Sequence, residues 1–336
     1  MSDAATISTD LAPIVEAFEA ARRDRRQLVI RGGGSVLDRL PSTDAEVLST
    51  EALTGVIDHR PEDLVVTVRS GTPVEELSAL LASHGQECPI EPLAGHGSTV
   101  GGRVATALAS PRQLQAGRVR DWVLRVRMVT ADAHVVASGG VTVKDVTGYD
   151  LCRLTTGSWG TLGLIAELTL KLRPTPTHGG WFATDRPAPQ VLADLYRPAA
   201  VVTTAEGTVV RLEEHPDDVT AQATATGLEP AEQPIWPTTA RAAVDPARLA
   251  DLTAWAGTAG LAHAGFAGVG LCLLDGDAEQ LAAAGQQVVA LGGALLVLDP
   301  SRAGPAWGVT AGGSMEQRVR AALDPHQLLV DVRQPR

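Results

Sequence analysis

Three glycine-rich stretches carry most of the chemistry this sequence can offer. Gly32-Gly33-Gly34-Ser35 follows a short apolar run, and residues with so little side chain can turn several backbone N–H groups toward one anion. The same string also serves as a plain flexible turn. It is not a Walker A loop, because no Gly-Lys-Ser/Thr follows, nor a Rossmann fingerprint, because the third glycine is missing. Gly97-Ser98-Thr99-Val100-Gly101-Gly102 repeats the chemistry, with hydroxyl donors at Ser98 and Thr99 and a helix expected over 103–108. Two such loops could clasp the two phosphates of a dinucleotide. The third stretch runs from Val141 through Lys144-Asp145-Val146-Thr147-Gly148-Tyr149 to Gly157-Ser158-Trp159-Gly160-Thr161-Leu162-Gly163-Leu164-Ile165. The only lysines of the chain, Lys144 and Lys171, fall in or just beyond it.

Regular elements must hold these loops. Leu11, Ile14, Val15 and Phe18 recur at helical spacing and predict a helix over 10–23, capped by Asp10 with Pro13 in its first turn. Residues 27–31 read as a strand running into the first glycine loop. Strands are expected over 53–58 and 64–68, then a helix over 74–84 with Thr72 as its cap and Glu75 and Glu76 in its first turn. Strands over 122–130 and 134–136 flank Ala131-Asp132-Ala133 as a hairpin, and a strong strand spans 164–172. Arg173-Pro174-Thr175-Pro176 breaks the pattern, giving expected domains over 1–175 and 180–336. In the second, strands over 199–203, 208–212, 269–274 and 294–298 alternate with helices over 246–256 and 277–291, an α+β pattern. Residues 230–239 read as a Pro-rich loop and 315–323 as a last amphipathic helix. No internal repeat of fixed period is visible.

Composition narrows the function classes. The 336 residues suit about two domains with a real core. A net charge of −11 argues against wrapping nucleic acid, which needs a basic footprint. No apolar run approaches the ~18–20 residues of a spanning helix, and the polar segment Met1–Asp10 shows no secretory h-region. The expected location is cytoplasmic, reaching the inner face of the membrane only through partners. Cys88, Cys152 and Cys272 lie far apart with no CxxC pair, which excludes a disulfide scaffold, a cysteine-bound zinc site and an iron–sulfur cluster held by this chain alone. Asparagine is absent, so N-glycosylation is excluded; this and the excess of arginine over lysine read as the mark of a GC-rich genome ahead of selection against thermolabile residues.

In order along the chain, RGGGS, STVGG, Arg120-Asp121, VKDVTGYDL and GSWGTLGLIAELTLKLRP resemble the vanillyl-alcohol-oxidase or p-cresol-methylhydroxylase (PCMH) type of FAD-binding domain. Within that superfamily they are similar to the FAD-binding subunits of bacterial glycolate oxidases. The likeness is dense over 27–176 and looser beyond. It implies a two-subdomain PCMH-type FAD-binding domain followed by a smaller α+β, ferredoxin-like cap domain. By this resemblance Arg31, Gly32, Gly33, Gly34 and Ser35 form the first pyrophosphate loop, and Gly97, Ser98, Thr99, Gly101 and Gly102 lie in the second. Lys144, Asp145, Gly148 and Tyr149 would line the flavin side, while Gly160, Gly163 and Ile165 hold the dinucleotide through the backbone. Asp145 stands where the family commonly has Asn. Ser35 stands where covalently flavinylated relatives carry His, which implies noncovalent FAD. The usual Asn-Pro-Gly-Arg ending is replaced by Val330-Asp331-Val332-Arg333.

Oxidising a 2-hydroxy acid requires a base for the hydroxyl proton and a cation for the carboxylate. The eight histidines do not assemble into such a centre, and no catalytic residue is assigned. His263, His178 and His96 read as ordinary histidines, and no metal site is proposed. Arg118 with Arg120, and Arg125 with Arg127, sit at strand spacing and read as a solvated face, with a partner surface behind that reading. The resemblance implies an FAD-dependent oxidoreductase subunit acting on glycolate beside a larger FAD-binding subunit and an iron–sulfur subunit. A flavin-binding assembly subunit and a stand-alone FAD-dependent alcohol oxidase are the other readings.

Overall fold

The computed structural model describes residues 11–40, 43–90, 97–108, 110–140, 150–299, 308–309 and 314–333. The chain divides into two compact units, the first comprising 1–108, 118–175 and 312–332, the second 109–117, 176–311 and 333–336. Each mixes helices with sheets.

The first unit opens on α1 (Ala12–Asp24), which buries Ile14, Val15, Phe18 and Ala21 and ends where Arg25 takes a left-handed φ of 55°. Its N-cap, Leu11, makes no side-chain cap, and Asp10 lies outside the described residues. β1 (Leu28–Arg31) pairs in parallel with β2 (Glu46–Ser49), and Leu28 also bridges in parallel to Leu329. The chain's last segment thus returns to its first strand. The buried carboxylate of Asp324 anchors that return by accepting the N–H groups of Leu328 and Leu329 at 2.9 and 2.8 Å.

Beside this lies a five-stranded antiparallel sheet of β3 (Val56–Arg60), β4 (Val65–Arg69), β6 (Val123–Val129), β7 (Val135–Gly139) and β8 (Leu164–Lys171). Its order is β3-β4-β8-β6-β7, and β5 (Gln86–Glu87) pairs separately with β9 (Arg173–Pro174). β8 takes the middle because it is apolar on both faces: Leu164, Ile165, Ala166, Leu168 and Leu170 are all buried. Leu53 is drawn into the core beneath α1, so the expected strand over 53–58 begins at Val56 instead. α2 (Val74–Ala82) starts from Pro73 rather than Thr72. The Thr72 hydroxyl does different work, accepting the Gly55 N–H at 2.9 Å. α3 (Val100–Thr106) starts three residues earlier than expected, because Thr99 caps it by accepting the Gly102 N–H at 3.2 Å.

The second unit is one nine-stranded antiparallel sheet of order β13-β10-β12-β11-β15-β16-β14-β17-β18. Its strands are β10 (His178–Thr184), β11 (Ala200–Thr204), β12 (Gly207–Glu214), β13 (Glu229–Ala231), β14 (Ala240–Ala243), β15 (Ala262–Phe266), β16 (Leu271–Asp275), β17 (Ala294–Val297) and β18 (Gly308–Val309). With helices Ala188–Asp194, Pro216–Thr226, Leu249–Thr258 and Ala278–Ala290 the chain runs βαββαβ twice. Each half has the strand order 4-1-3-2 of a ferredoxin-like unit, and the two join through β11 and β15. The duplication lies in topology, not in a sequence period. Each half buries its own core, one around Val191, Val210, Leu212 and Val219, the other around Leu252, Leu274, Leu281 and Val288.

Candidate functional site

The two glycine loops meet in the first unit. Gly33 lies so close to Gly97 that any Cβ there would collide with the Gly97 carbonyl oxygen. The Ser35 and Ser98 hydroxyls stand 3.1 Å apart and link one loop to the other. The loops border a cleft enclosing about 800 Å³ to its open mouth. Gly32, Gly33, Gly34, Ser35, Ser98, Thr99, Gly101, Gly102, Gly160, Gly163 and Ile165 line it, as does Val332 from the returning chain end. Arg31 and Gly97 do not. Lys144, Asp145, Gly148, Tyr149 and His96 lie outside the described residues.

The loops differ in chemistry. In the second, the Val100 and Gly101 N–H groups donate to the carbonyls of Thr72 and Ser70, at 2.9 and 2.7 Å, and Gly102 donates to Thr99. In the first, no hydrogen bond among the described residues engages the N–H groups of Gly32, Gly33, Gly34, Ser35 and Val36. Five such donors on successive residues are the chemistry that an anion-binding concavity needs. Ser70 lines the same cleft, and its Oγ is buried without a partner among the described residues. Sequence reading missed Ser70, which follows β4 and precedes Gly71, because no local signal marks its hydroxyl.

Arg31 acts on the loop from outside. Its guanidinium grips Asp38 in a two-point pair of 2.7 and 3.1 Å and reaches Glu51 at 3.2 Å. The hydrogen bond from Arg31 holds the Asp38 carboxyl below the usual carboxylate range and raises Arg31 in return. This clamp ties the two ends of the 31–38 turn, leaving the backbone rather than the arginine to face the cleft.

The remaining wall is apolar and strained. Ile30, Leu37, Leu40, Ala105, Trp159 and Val332 line it. Trp159 adopts a left-handed φ of 55°, held by its N–H on the Ala105 carbonyl at 2.8 Å. Gly163, at φ 144°, brings the backbone against the Val129 carbonyl where no side chain would fit. Arg103, also lining the cleft, is buried, and it donates to the carbonyls of Ile90 and Leu108 at 2.9 and 2.6 Å.

Among the described residues, no histidine, aspartate or glutamate lines this cleft. His263 lies within β15, buried, with Nδ1 3.1 Å from the Leu261 carbonyl, and His178 is exposed at the start of β10. Arg127 pairs with Glu167 at 2.9 Å, whereas Arg118, Arg120 and Arg125 are exposed. Burial pushes the Cys152 thiol up to about 11 and Cys272 to about 12, so neither supplies a thiolate at neutral pH. No described helix is long and apolar enough to cross a membrane.

Residues 3–139 match a family model described as an FAD binding domain. The glycolate oxidase subunit GlcE of Escherichia coli K12 is 38% identical over 164 residues, which are 48% of this chain and 47% of that protein. The glycolate oxidase subunit GlcD of Bacillus subtilis 168 is 32% identical over 178 residues, 52% of this chain and 38% of that one. A D-lactate dehydrogenase of Archaeoglobus fulgidus is 35% identical over 147 residues, 43% and 33% of the two chains. The chain spans less than half the length of each of these relatives. A solved structure of alkyldihydroxyacetonephosphate synthase matches 94% of this chain and 74% of its own with a TM-score of 0.65 at 15% identity, which shows a common fold.

Proposed function

We propose, from the match of residues 3–139 to an FAD binding domain, that the chain is the FAD-binding subunit of a 2-hydroxy-acid oxidase or dehydrogenase. The substrate proposed is glycolate, oxidised to glyoxylate, as the two glycolate oxidase subunits among its relatives support. One observation carries the cofactor: the first glycine loop lines the cleft with five N–H groups that, like the Ser70 hydroxyl there, have no partner among the described residues. A diphosphate satisfies both. Bound there, FAD supplies the two-electron acceptor for oxidation of a CH–OH carbon.

The protein's own part is binding, orientation and exclusion of water. The N–H groups of 32–36 and the Ser70 hydroxyl hold the negative charge without reorganising, since the Arg31–Asp38 clamp and the Ser35–Ser98 link set the loop beforehand. Ile30, Leu37, Leu40, Trp159 and Val332 keep that end of the cleft dry, which strengthens the charge-assisted bonds. Lys144, Asp145, Gly148 and Tyr149 are proposed to border the flavin ring. No histidine supports covalent attachment at Ser35, so the FAD is proposed to be noncovalent. With no clustered cysteines, electrons pass to another component, proposed as a larger FAD-binding subunit and an iron–sulfur subunit.

The cleft lining favours a second reading. With no histidine or carboxylate among its described residues, the chain can hold flavin as an assembly or relay subunit and leave chemistry to its partner. A stand-alone FAD-dependent alcohol oxidase is the third. An absorbance spectrum separates them. A yellow protein bleached by glycolate supports catalysis in this chain, and an unbleached yellow one supports assembly. A colourless protein that FAD cannot reconstitute overturns both. Gly33→Glu is expected to abolish flavin retention, because its side chain has no room beside Gly97 and sets an anion in an anion site; a variant that stays yellow refutes the loop assignment.

A further inference from the structure

We propose that His59 and His84, in the first unit, form a two-histidine site for one divalent transition-metal ion of the zinc or copper class. The inference does not need the flavin reading. His59 stands on β3, an edge strand of the five-stranded sheet, and His84 follows the end of α2. Their ring centres are 4.8 Å apart, with the ring planes at 83°. Two imidazoles that each bind one ion at about 2.0–2.1 Å keep their ring centres about 5 Å apart at the tetrahedral angle. The strand and the helix therefore already set the rings at the spacing of a shared ligand pair.

The surrounding hydrogen bonds fix which nitrogen of each ring is bare. His59 Nε2 lies 3.1 Å from the side-chain Oε1 of Gln86. That oxygen is identified by the other end of the amide, whose nitrogen donates to the Pro61 carbonyl at 2.7 Å. An amide oxygen only accepts, so His59 carries its proton on Nε2 and leaves the Nδ1 lone pair bare. His84 Nδ1 lies 3.1 Å from the Leu80 carbonyl and 3.1 Å from the Ser83 hydroxyl. The Ser83 proton is already donated to the Leu80 carbonyl at 2.6 Å, so both neighbours of Nδ1 are acceptors. His84 is thus protonated on Nδ1 and bare at Nε2. Neither bare nitrogen has a hydrogen-bond partner among the described residues. A ring that donates one N–H to a carbonyl oxygen and offers its other nitrogen is the form in which histidine binds metal.

The class of ion follows from the donors. Neutral imidazole suits zinc, copper and nickel, whereas magnesium and calcium take oxygen ligands. The turn beyond β3 favours a cation: Asp58, Glu62 and Asp63 are exposed there, and Arg60 is already paired with Asp58 and Asp63 at 2.9 and 3.7 Å. Cys88, two residues past Gln86, does not compete, because burial pushes its thiol up. Among the described residues no group of three or more histidines, cysteines and carboxylates gathers, so solvent completes the coordination and the ion exchanges. Bound, it ties the end of α2 to the edge of the five-stranded sheet.

The test uses the intact, untagged protein, stripped of metal by a chelator and titrated calorimetrically with zinc chloride or magnesium chloride. Zinc is expected to bind at one site per chain, and magnesium is not. His59→Gln and His84→Gln are each expected to weaken zinc binding about tenfold or more. His84 is exposed, so its variant stands in should His59→Gln not fold. Copper(II) on the parent is expected to show two nitrogen ligands by electron paramagnetic resonance, and one on either variant. Three outcomes overturn the proposal: a parent that takes up no zinc, a His84→Gln protein that binds zinc as tightly as the parent, or a parent copper spectrum with a single nitrogen. Flavin absorbance of the same samples separates this result from any failure of the FAD cleft.

Discussion

Ser70 shows how one atom can carry functional meaning. A buried hydroxyl without a partner costs about 1–3 kcal/mol, and Ser70 bears that cost at the wall of the glycine-loop cleft. Ser70→Ala should therefore leave the FAD-free protein as stable as before or slightly more so, measured by denaturant unfolding. The same change should weaken FAD binding about tenfold in a flavin titration, the value of one charge-assisted hydrogen bond. Equal loss in both measurements would make Ser70 a packing residue. Gly33 was legible in the sequence as part of GGGS; Ser70 was not, because nothing local to Arg69-Ser70-Gly71 says which atoms the fold leaves without partners.

At the scale of elements, strands that bury both faces were legible and strands built from small residues were not. β8 announces itself as a continuous apolar run. β14 (Ala-Arg-Ala-Ala) and β15 (Ala-His-Ala-Gly-Phe) have little intrinsic strand preference and exist because neighbours pair with them on both sides. Caps were legible as residue types but not always as roles. Thr72 looked like a cap and instead holds Gly55, whereas Thr99 caps α3. Thr99→Ala should cost about 1 kcal/mol of unfolding free energy in FAD-free protein, with Thr99→Ser recovering most of it. A smaller difference between Ala and Ser would show that the cap contributes little to holding α3.

At the scale of the whole molecule, the two units have separate cores, and each can be perturbed on its own terms. In the second, the Glu213 carboxylate is 2% exposed and bound by Arg112 at 3.1 Å and Arg211 at 3.1 Å. Glu213→Gln removes the charge that two arginines share and is expected to cost about 3–5 kcal/mol. Hydrogen exchange should report the loss first in β10, β11 and β12 and leave β4 and β8 protected. Uniform loss across both sheets would show that the units unfold as one.

The sequence by itself determined the glycine loops, their order, most of the helices and the absence of clustered cysteines, because each is written in neighbouring residues or in a count. The tertiary structure alone decided which donors remain unengaged. It brought Gly33 against Gly97, returned Val332 to the cleft wall, engaged the N–H groups of Val100, Gly101 and Gly102, and left those of 32–36 without partners among the described residues. It also joined two βαββαβ halves that share no sequence period. The physical reason is the same throughout. Local pattern selects a residue's conformation, but a polar group's partner can lie a hundred residues away, and only the folded chain says whether one arrives.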